Sequence, residues 1–284
     1  MYVTVWIRAG DGKDLDGSGR VSQAMSVMTA TSTLAAAFRS RPLLPALALL
    51  LVLTALLGSC VWKRSEQAAV LRADPEAILA DERLRKVALA GGKPVYQHYC
   101  AACHGADGKG DQTLGVPDLT DDDHLYGTGT VSQIEDIARY GIRAHNKRGW
   151  NLAVMPAYAH KIPDAAEPLP PQTPAQINDL TQYLLSFTGR ATDPAAVKRG
   201  PETYSKAGCW DCHGRDLGGD PAIGAPTLTD NIWLYGGTAD DIRRTISRGR
   251  AGISPAFART LTPAQLRDVA VYVASLAPTA QDSK

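Results

Sequence analysis

Aromatic side chains are scarce in this sequence of 284 residues, at 6 %, with three phenylalanines. A chain so poor in large rings, with 26 glycines and 18 prolines, suits small, loop-rich helical domains better than one large core. Net charge is also nearly missing. The 30 basic and 29 acidic side chains leave +1, which removes the electrostatic case for binding nucleic acid. Only five cysteines occur: Cys60 stands alone and the others form two close pairs, which is not a disulfide framework. Methionine is rarer still, and Met155 is the one methionine after Met28. No general base or nucleophile with recognisable partners is present.

One long uncharged run is present. Arg39 and Arg41 precede an apolar stretch that begins at Leu43 and meets no charge until Lys63. Taken as 43–62, it is about one bilayer-spanning helix long. Taken as an export signal, it has a basic start and an apolar centre, and ends in Leu57-Gly58-Ser59-Cys60, which resembles a lipoprotein cleavage box with Cys60 as the acylated residue. Both readings, lipidated and uncleaved, stay open at this point. Either one keeps the arginines in the cytoplasm and exports the rest. Residues 1–38 are expected to be a disordered extension, with Met25 or Met28 a conventional start for the signal. The segment "DGKDLDGSG" is no calcium loop, because Met25 stands where the bidentate Glu is needed.

The rest of the chain is a duplication. "CAACHGADGKGDQTLGVPDLTDDDHLYG" (100–127) and "CWDCHGRDLGGDPAIGAPTLTDNIWLYG" (209–236) share a Cys-x-x-Cys-His-Gly start, Gly-x-Pro-x-Leu-Thr-Asp, and Leu-Tyr-Gly. Each is followed by a helical pattern ending in Gly141 or Gly249. "TPAQINDLTQYLLSF" (173–187) then matches "TPAQLRDVAVYVASL" (262–276), each with Thr as N-cap and Pro at the first helical position. The chain therefore divides into an anchor at 39–62, a helical linker at 63–90, and two helical domains at 91–190 and 191–284. Asp74-Pro75 is read as the start of the linker helix and Gly91-Gly92 as its stop; Asp193-Pro194 opens the helix leading to Cys209. The Pro-rich "KIPDAAEPLPPQ" (161–172) is read as a surface loop.

Two thiols one helical turn apart, with a histidine directly after the second, form the attachment signature of c-type haem. The cysteines bond the porphyrin edge and the histidine ligates iron from beneath. A shared zinc site is disfavoured because the pairs are far apart in sequence and each has its own histidine. A thioredoxin-like dithiol lacks its βαβ setting. Two covalent haem c groups follow, on Cys100, Cys103 and His104, and on Cys209, Cys212 and His213.

Over roughly residues 70–277 the tandem pattern, with "MPAYA" and "SPAFA" segments, resembles the dihaem c-type subunit (subunit III) of cbb₃-type cytochrome c oxidases. The resemblance implies an all-α fold of two class I cytochrome c domains behind an N-terminal anchor. It implies that the Pro117 and Pro226 carbonyls hold His104 and His213 from behind. It also implies single-electron transfer in a respiratory chain at the bacterial cytoplasmic membrane, with haem domains in the periplasm. Partners would be haem–copper oxidase subunits or another membrane redox complex, and a periplasmic donor such as a small cytochrome c. The chain departs from that family in its anchor, which lacks an acidic-Asn-Pro-Leu-Pro segment with paired tryptophans.

A second departure is chemical. By the same resemblance the sixth iron ligand is a methionine in a Met-Pro-Ala loop. Met155-Pro156-Ala157 is expected to supply it to the haem on His104. In the second repeat Ser254 stands at that position, leaving the sixth ligand of the other haem open, with His98, His124, His145 and His160 as candidate imidazoles. This asymmetry predicts a high-potential first haem and a lower second one. A haem enzyme or gas-binding module using the second iron, and a carrier for a periplasmic dehydrogenase, are the competing functions.

Overall fold

The computed structural model describes residues 43–161 and 169–277. The N-terminal extension, Arg39 and Arg41, and most of the Pro-rich loop lie outside the described residues. Helix α1 (Leu43–Arg72) carries the apolar run, with leucines such as Leu47, Leu51 and Leu57 more than half exposed. The run continues as helix through Cys60 without a break. Further along, Val70 is fully buried.

A 3-10 turn at Pro75–Ala77, capped by Asp74, follows, and then α2 (Glu82–Tyr99), capped by Asp81 (Leu84 N to Asp81 Oδ1, 2.9 Å). The Asp74-Pro75 start signal thus opens only one turn. The expected stop at Gly91-Gly92 also fails, since α2 runs straight through it. The reason is packing: a Cβ on Gly92 would lie 2.1 Å from the Asp268 carbonyl oxygen. Glycine here is the contact surface between two helices, and its place in the chain interior outweighs its weak helix propensity. The boundary expected between linker and first domain therefore falls inside a helix.

The remaining elements repeat. α3 (Ala101–His104) and α4 (Val131–Tyr140) belong to the first copy, and α5 (Pro174–Ser186) ends it. α6 (Pro194–Lys206), α7 (Trp210–His213), α8 (Ala239–Arg248) and α9 (Pro263–Ala274) form the second. Thr173 and Thr262 make capping boxes with Gln176 and Gln265, and Asp193 caps α6, as their sequence signatures predict. Only isolated bridges, no strands, occur among the described residues.

The packing exchanges the helices between copies. α5, the last helix of the first repeat, packs on α6 and α8 of the second; α9, the last helix of the second, packs on α2 and α4 of the first. Residues 187–193 are all that separate α5 from α6, and so short a link makes sequential helices neighbours. That leaves α9 as the partner for α2. The last helix of each repeat thus packs on the other repeat. At one crossing Arg199 grips Asp179 with two hydrogen bonds (3.0 and 2.7 Å). At the other, Gly91 faces Asp268, whose Oδ1 accepts from Gln67 of α1 at 2.8 Å. Arg267 of α9 pairs with the buried Glu135 of α4.

Candidate haem-binding sites

Each Cys-x-x-Cys-His segment forms a single helical turn, α3 or α7, delivered by the long helix before it. In each, a tyrosine on that long helix reaches over the turn: Tyr96 Oη donates to the Gly105 carbonyl (2.7 Å) and Tyr204 Oη to that of Gly214 (2.8 Å). Sequence reading missed this pair, although a tyrosine shortly before the first cysteine is visible in both copies. Both glycines have left-handed φ, +78° and +77°, so the chain can turn away directly after the histidine.

The histidines are oriented as the proximal role requires. His104 Nδ1 lies 3.3 Å from the Pro117 carbonyl and His213 Nδ1 2.9 Å from that of Pro226. A carbonyl only accepts, so Nδ1 carries the proton and Nε2 keeps its lone pair for a metal. Burial holds both imidazoles below their ordinary pKa, with the proline carbonyls opposing the shift, so both are neutral near pH 7. Burial also pushes the Cys100 and Cys209 thiols up to about 11. That is the reverse of a reactive redox dithiol, whose thiolate is stabilised.

The distal loops do not stay with their own repeat. Met155 and Arg250 exchange backbone hydrogen bonds (2.9 and 3.0 Å), and Tyr158 N donates to Ile246 O at 3.1 Å. The Met155 side chain packs on the core cluster that includes Tyr204 and Leu217 and also takes in Cys209. In reciprocal fashion Ser254 and Ile142 exchange backbone bonds (2.9 and 3.0 Å), and Phe257 N donates to Ala138 O. Phe257 joins the cluster containing Tyr96 and Cys100. The sequence expectation set Met155 opposite His104; in the structure the Met155 loop bonds to Arg250 and Ile246 of the second repeat, and the Ser254 loop bonds to Ile142 and Ala138 of the first. Of the other histidines, His98, His124, His145 and His160 are all exposed.

The two repeats also touch. The Tyr126 ring packs on Gly224, where a Cβ would lie 2.1 Å from Cζ, and the Tyr235 ring packs on Gly115 in the mirror-image contact. Each glycine is the first residue of the other repeat's Gly-x-Pro segment. Gly127 N donates to Pro221 O (2.9 Å) and Gln112 Nε2 to Trp233 O (2.9 Å) across the same seam.

The residues fit a haem on one further observation. Trp233 Nε1 and Arg190 Nη2 are buried donors with no acceptor among the described residues. They lie close together, since Arg190 Nη1 donates to Gly237 O (2.7 Å) and Gly237 abuts the Trp233 ring. Trp233 packs on the same hydrophobic cluster as Cys209, and such paired orphan donors fit an anionic acceptor such as a haem carboxylate.

Comparison with known proteins agrees with this geometry. The cytochrome c family model matches residues 89–188 and again 197–277. The chain is 39 % identical over 211 residues to the cbb3-type cytochrome c oxidase subunit CcoP of Rhodobacter capsulatus, covering 72 % of this chain and 67 % of that one. It is 37 % identical over 202 residues to the subunit FixP of Azorhizobium caulinodans (71 % and 64 %). It is 36 % identical over 214 residues to the CcoP subunit of Azospirillum brasilense (73 % and 68 %). The chain thus spans about two thirds of the length of these relatives.

Proposed function

This chain belongs to the cytochrome c family, in the company of the dihaem cbb3 oxidase subunits, and from that premise we propose that it passes single electrons to a membrane haem–copper oxidase. It carries two covalently bound haem c groups, one per cytochrome c domain. When bound, haem supplies a one-electron couple at iron, and the protein's part is to hold, orient and tune it. Helix α1, long and apolar enough to cross a bilayer, tethers the haem domains to the cytoplasmic membrane on its periplasmic side, where a small cytochrome c would serve as donor.

In this reading Cys100, Cys103, Cys209 and Cys212 form the thioethers. His104 and His213 are the proximal ligands, kept in the Nδ1–H tautomer by Pro117 and Pro226. Met155 would offer its thioether sulfur to the iron held by His213, not to the iron held by His104. Ser254, a poor iron ligand, faces the first site instead. The order of potentials expected from sequence would thereby be reversed, with the higher potential on the haem held by His213. Thioether sulfur favours the ferrous state, and the first haem goes without it.

The observation that carries the function is the identity to cbb3 oxidase subunits over some 70 % of the chain. The haem-enzyme and gas-binding alternatives find no support among these relatives. Mild-detergent purification of the tagged full chain tests it. The chain should bring with it an oxidase that reduces oxygen when this chain's haems are reduced. A chain that purifies alone, and whose deletion leaves membrane oxygen uptake unchanged, would refute the proposal.

A further inference from the structure

We propose that Arg143 is a positioning residue shared by both haem sites, one guanidinium that clamps the two distal loops together. The proposal rests on the reading that Met155 and Ser254 are the residues facing the two irons. Arg143 Nη1 donates to the Ala153 carbonyl at 2.8 Å, and its Nε donates to the Gly252 carbonyl at 2.6 Å. These acceptors are equivalent by repeat. Ala153 stands two residues before Met155, and Gly252 two residues before Ser254. A single side chain therefore holds the equivalent carbonyl in both loops. The second repeat has no counterpart, because Ala251 occupies the corresponding place.

The surroundings argue that this position is built and not incidental. Arg143 has φ +50°, a left-handed conformation that a long side chain rarely adopts and that persists where neighbours over-determine it. Here they do so. Arg143 N donates to Trp150 O (3.1 Å), and the preceding residue, Ile142, exchanges bonds with Ser254. Its guanidinium sits 5.8 Å from the Tyr126 ring, and Tyr126 is the residue that crosses the seam onto Gly224. A planar fork with donors at fixed angles can bridge two carbonyls; an ammonium on a flexible stem holds such a pair less well. Arg143 thus fixes where the methionine loop of one site stands relative to the serine loop of the other. Arg148, in the same loop but stacked on Tyr140, makes no such bridge.

The test compares Arg143→Ala, Arg143→Lys and Arg148→Ala in the purified full-length holoprotein, with haem per chain as the folding control. The near-infrared sulfur-to-iron band and both midpoint potentials are read. Arg143→Ala is expected to keep two haems, lose at least half of the band and shift both potentials. Arg143→Lys, which keeps the charge, is expected to lose a similar share of the band, while Arg148→Ala changes nothing. If Arg143→Ala moves the potentials but Arg143→Lys leaves both band and potentials as in wild type, the residue acts by charge alone and the clamp is wrong. Unchanged band and potentials in a loaded Arg143→Ala also overturn it. Should Arg143→Ala fail to load haem, the Lys variant decides by the same readings. Met155→Ala separates the underlying reading: a band that survives it refutes methionine ligation, and the clamp then stands or falls on the paired shift of potentials alone.

Discussion

Met155 and Arg250 trade both of their backbone hydrogen bonds, at 2.9 and 3.0 Å, although one belongs to the first repeat and the other to the second. The same trade joins Ser254 to Ile142. These two bridges, with the α5–α6 and α2–α9 crossings, tie segments of each copy to the other. The consequences are open to measurement.

If Met155 serves the second site, the near-infrared sulfur–iron band follows the second motif. Cys209→Ser with Cys212→Ser should abolish it, and Cys100→Ser with Cys103→Ser should leave it. Met155→Ala should remove the band and lower one potential by a sizeable part of the roughly 0.8 V that axial ligation spans. Ser254→Met should create a second band, on the haem of the first motif. Loss of the native band on deleting the first motif would restore the pairing within a repeat.

Asp268 offers a pH test. Burial raises its carboxyl from 3.8 to about 6, against the lowering effects of Gln67 and Arg267. The folded state then holds the proton more tightly than the unfolded one, so its contribution is favourable below pH 3.8 and is lost as pH rises through about 6. Asp268→Asn keeps the acceptor for Gln67 without the charge. It should match wild type near pH 4 and be more stable at pH 8, by an amount on the order of 3 kcal/mol at most. Urea midpoints at the two pH values decide it, and equal differences at both would show that Asp268 does not titrate in this way.

Gly92→Ala should damage the α2–α9 crossing. The new methyl would lie 2.1 Å from the Asp268 carbonyl oxygen and 2.7 Å from Tyr272 Cβ, and overpacking against backbone costs about 1–3 kcal/mol or more. Gly200→Ala meets Tyr183 Cβ at 2.2 Å in the other crossing and should cost a similar amount. Thermal unfolding followed at the haem band measures both, and a neutral Gly92→Ala would mean the helices cross further apart.

For the anchor, α1 passes through Leu57-Gly58-Ser59-Cys60 as unbroken helix. We expect a mature chain that keeps residues before Cys60, and Cys60→Ala should leave its mass otherwise unaltered. Intact-mass spectrometry showing an acylated N-terminus at Cys60 would establish the lipoprotein instead.

The sequence by itself determined what depends on neighbours along the chain. Cys-x-x-Cys-His needs one helical turn, so its chemistry is written within five residues. Thr173, Thr262 and Asp193 cap helices whose first turn follows at once. The proline carbonyls behind His104 and His213 come from a motif at fixed distance in both copies. The exchange of helices was not legible, for a physical reason: α5 and α9 are near copies, and the pattern of either suits α2 as well as α6. Only the short 187–193 link, acting in three dimensions, assigns α5 to α6, and the Met155 loop bonds to Arg250 and Ile246 of the same repeat as α6. Gly91-Gly92 read as a stop because a sequence shows the glycine and not the helix α9 pressed against it. Nothing in the sequence singles out Arg143, because its two acceptors, Ala153 and Gly252, are far apart in the chain and reach its guanidinium only on folding.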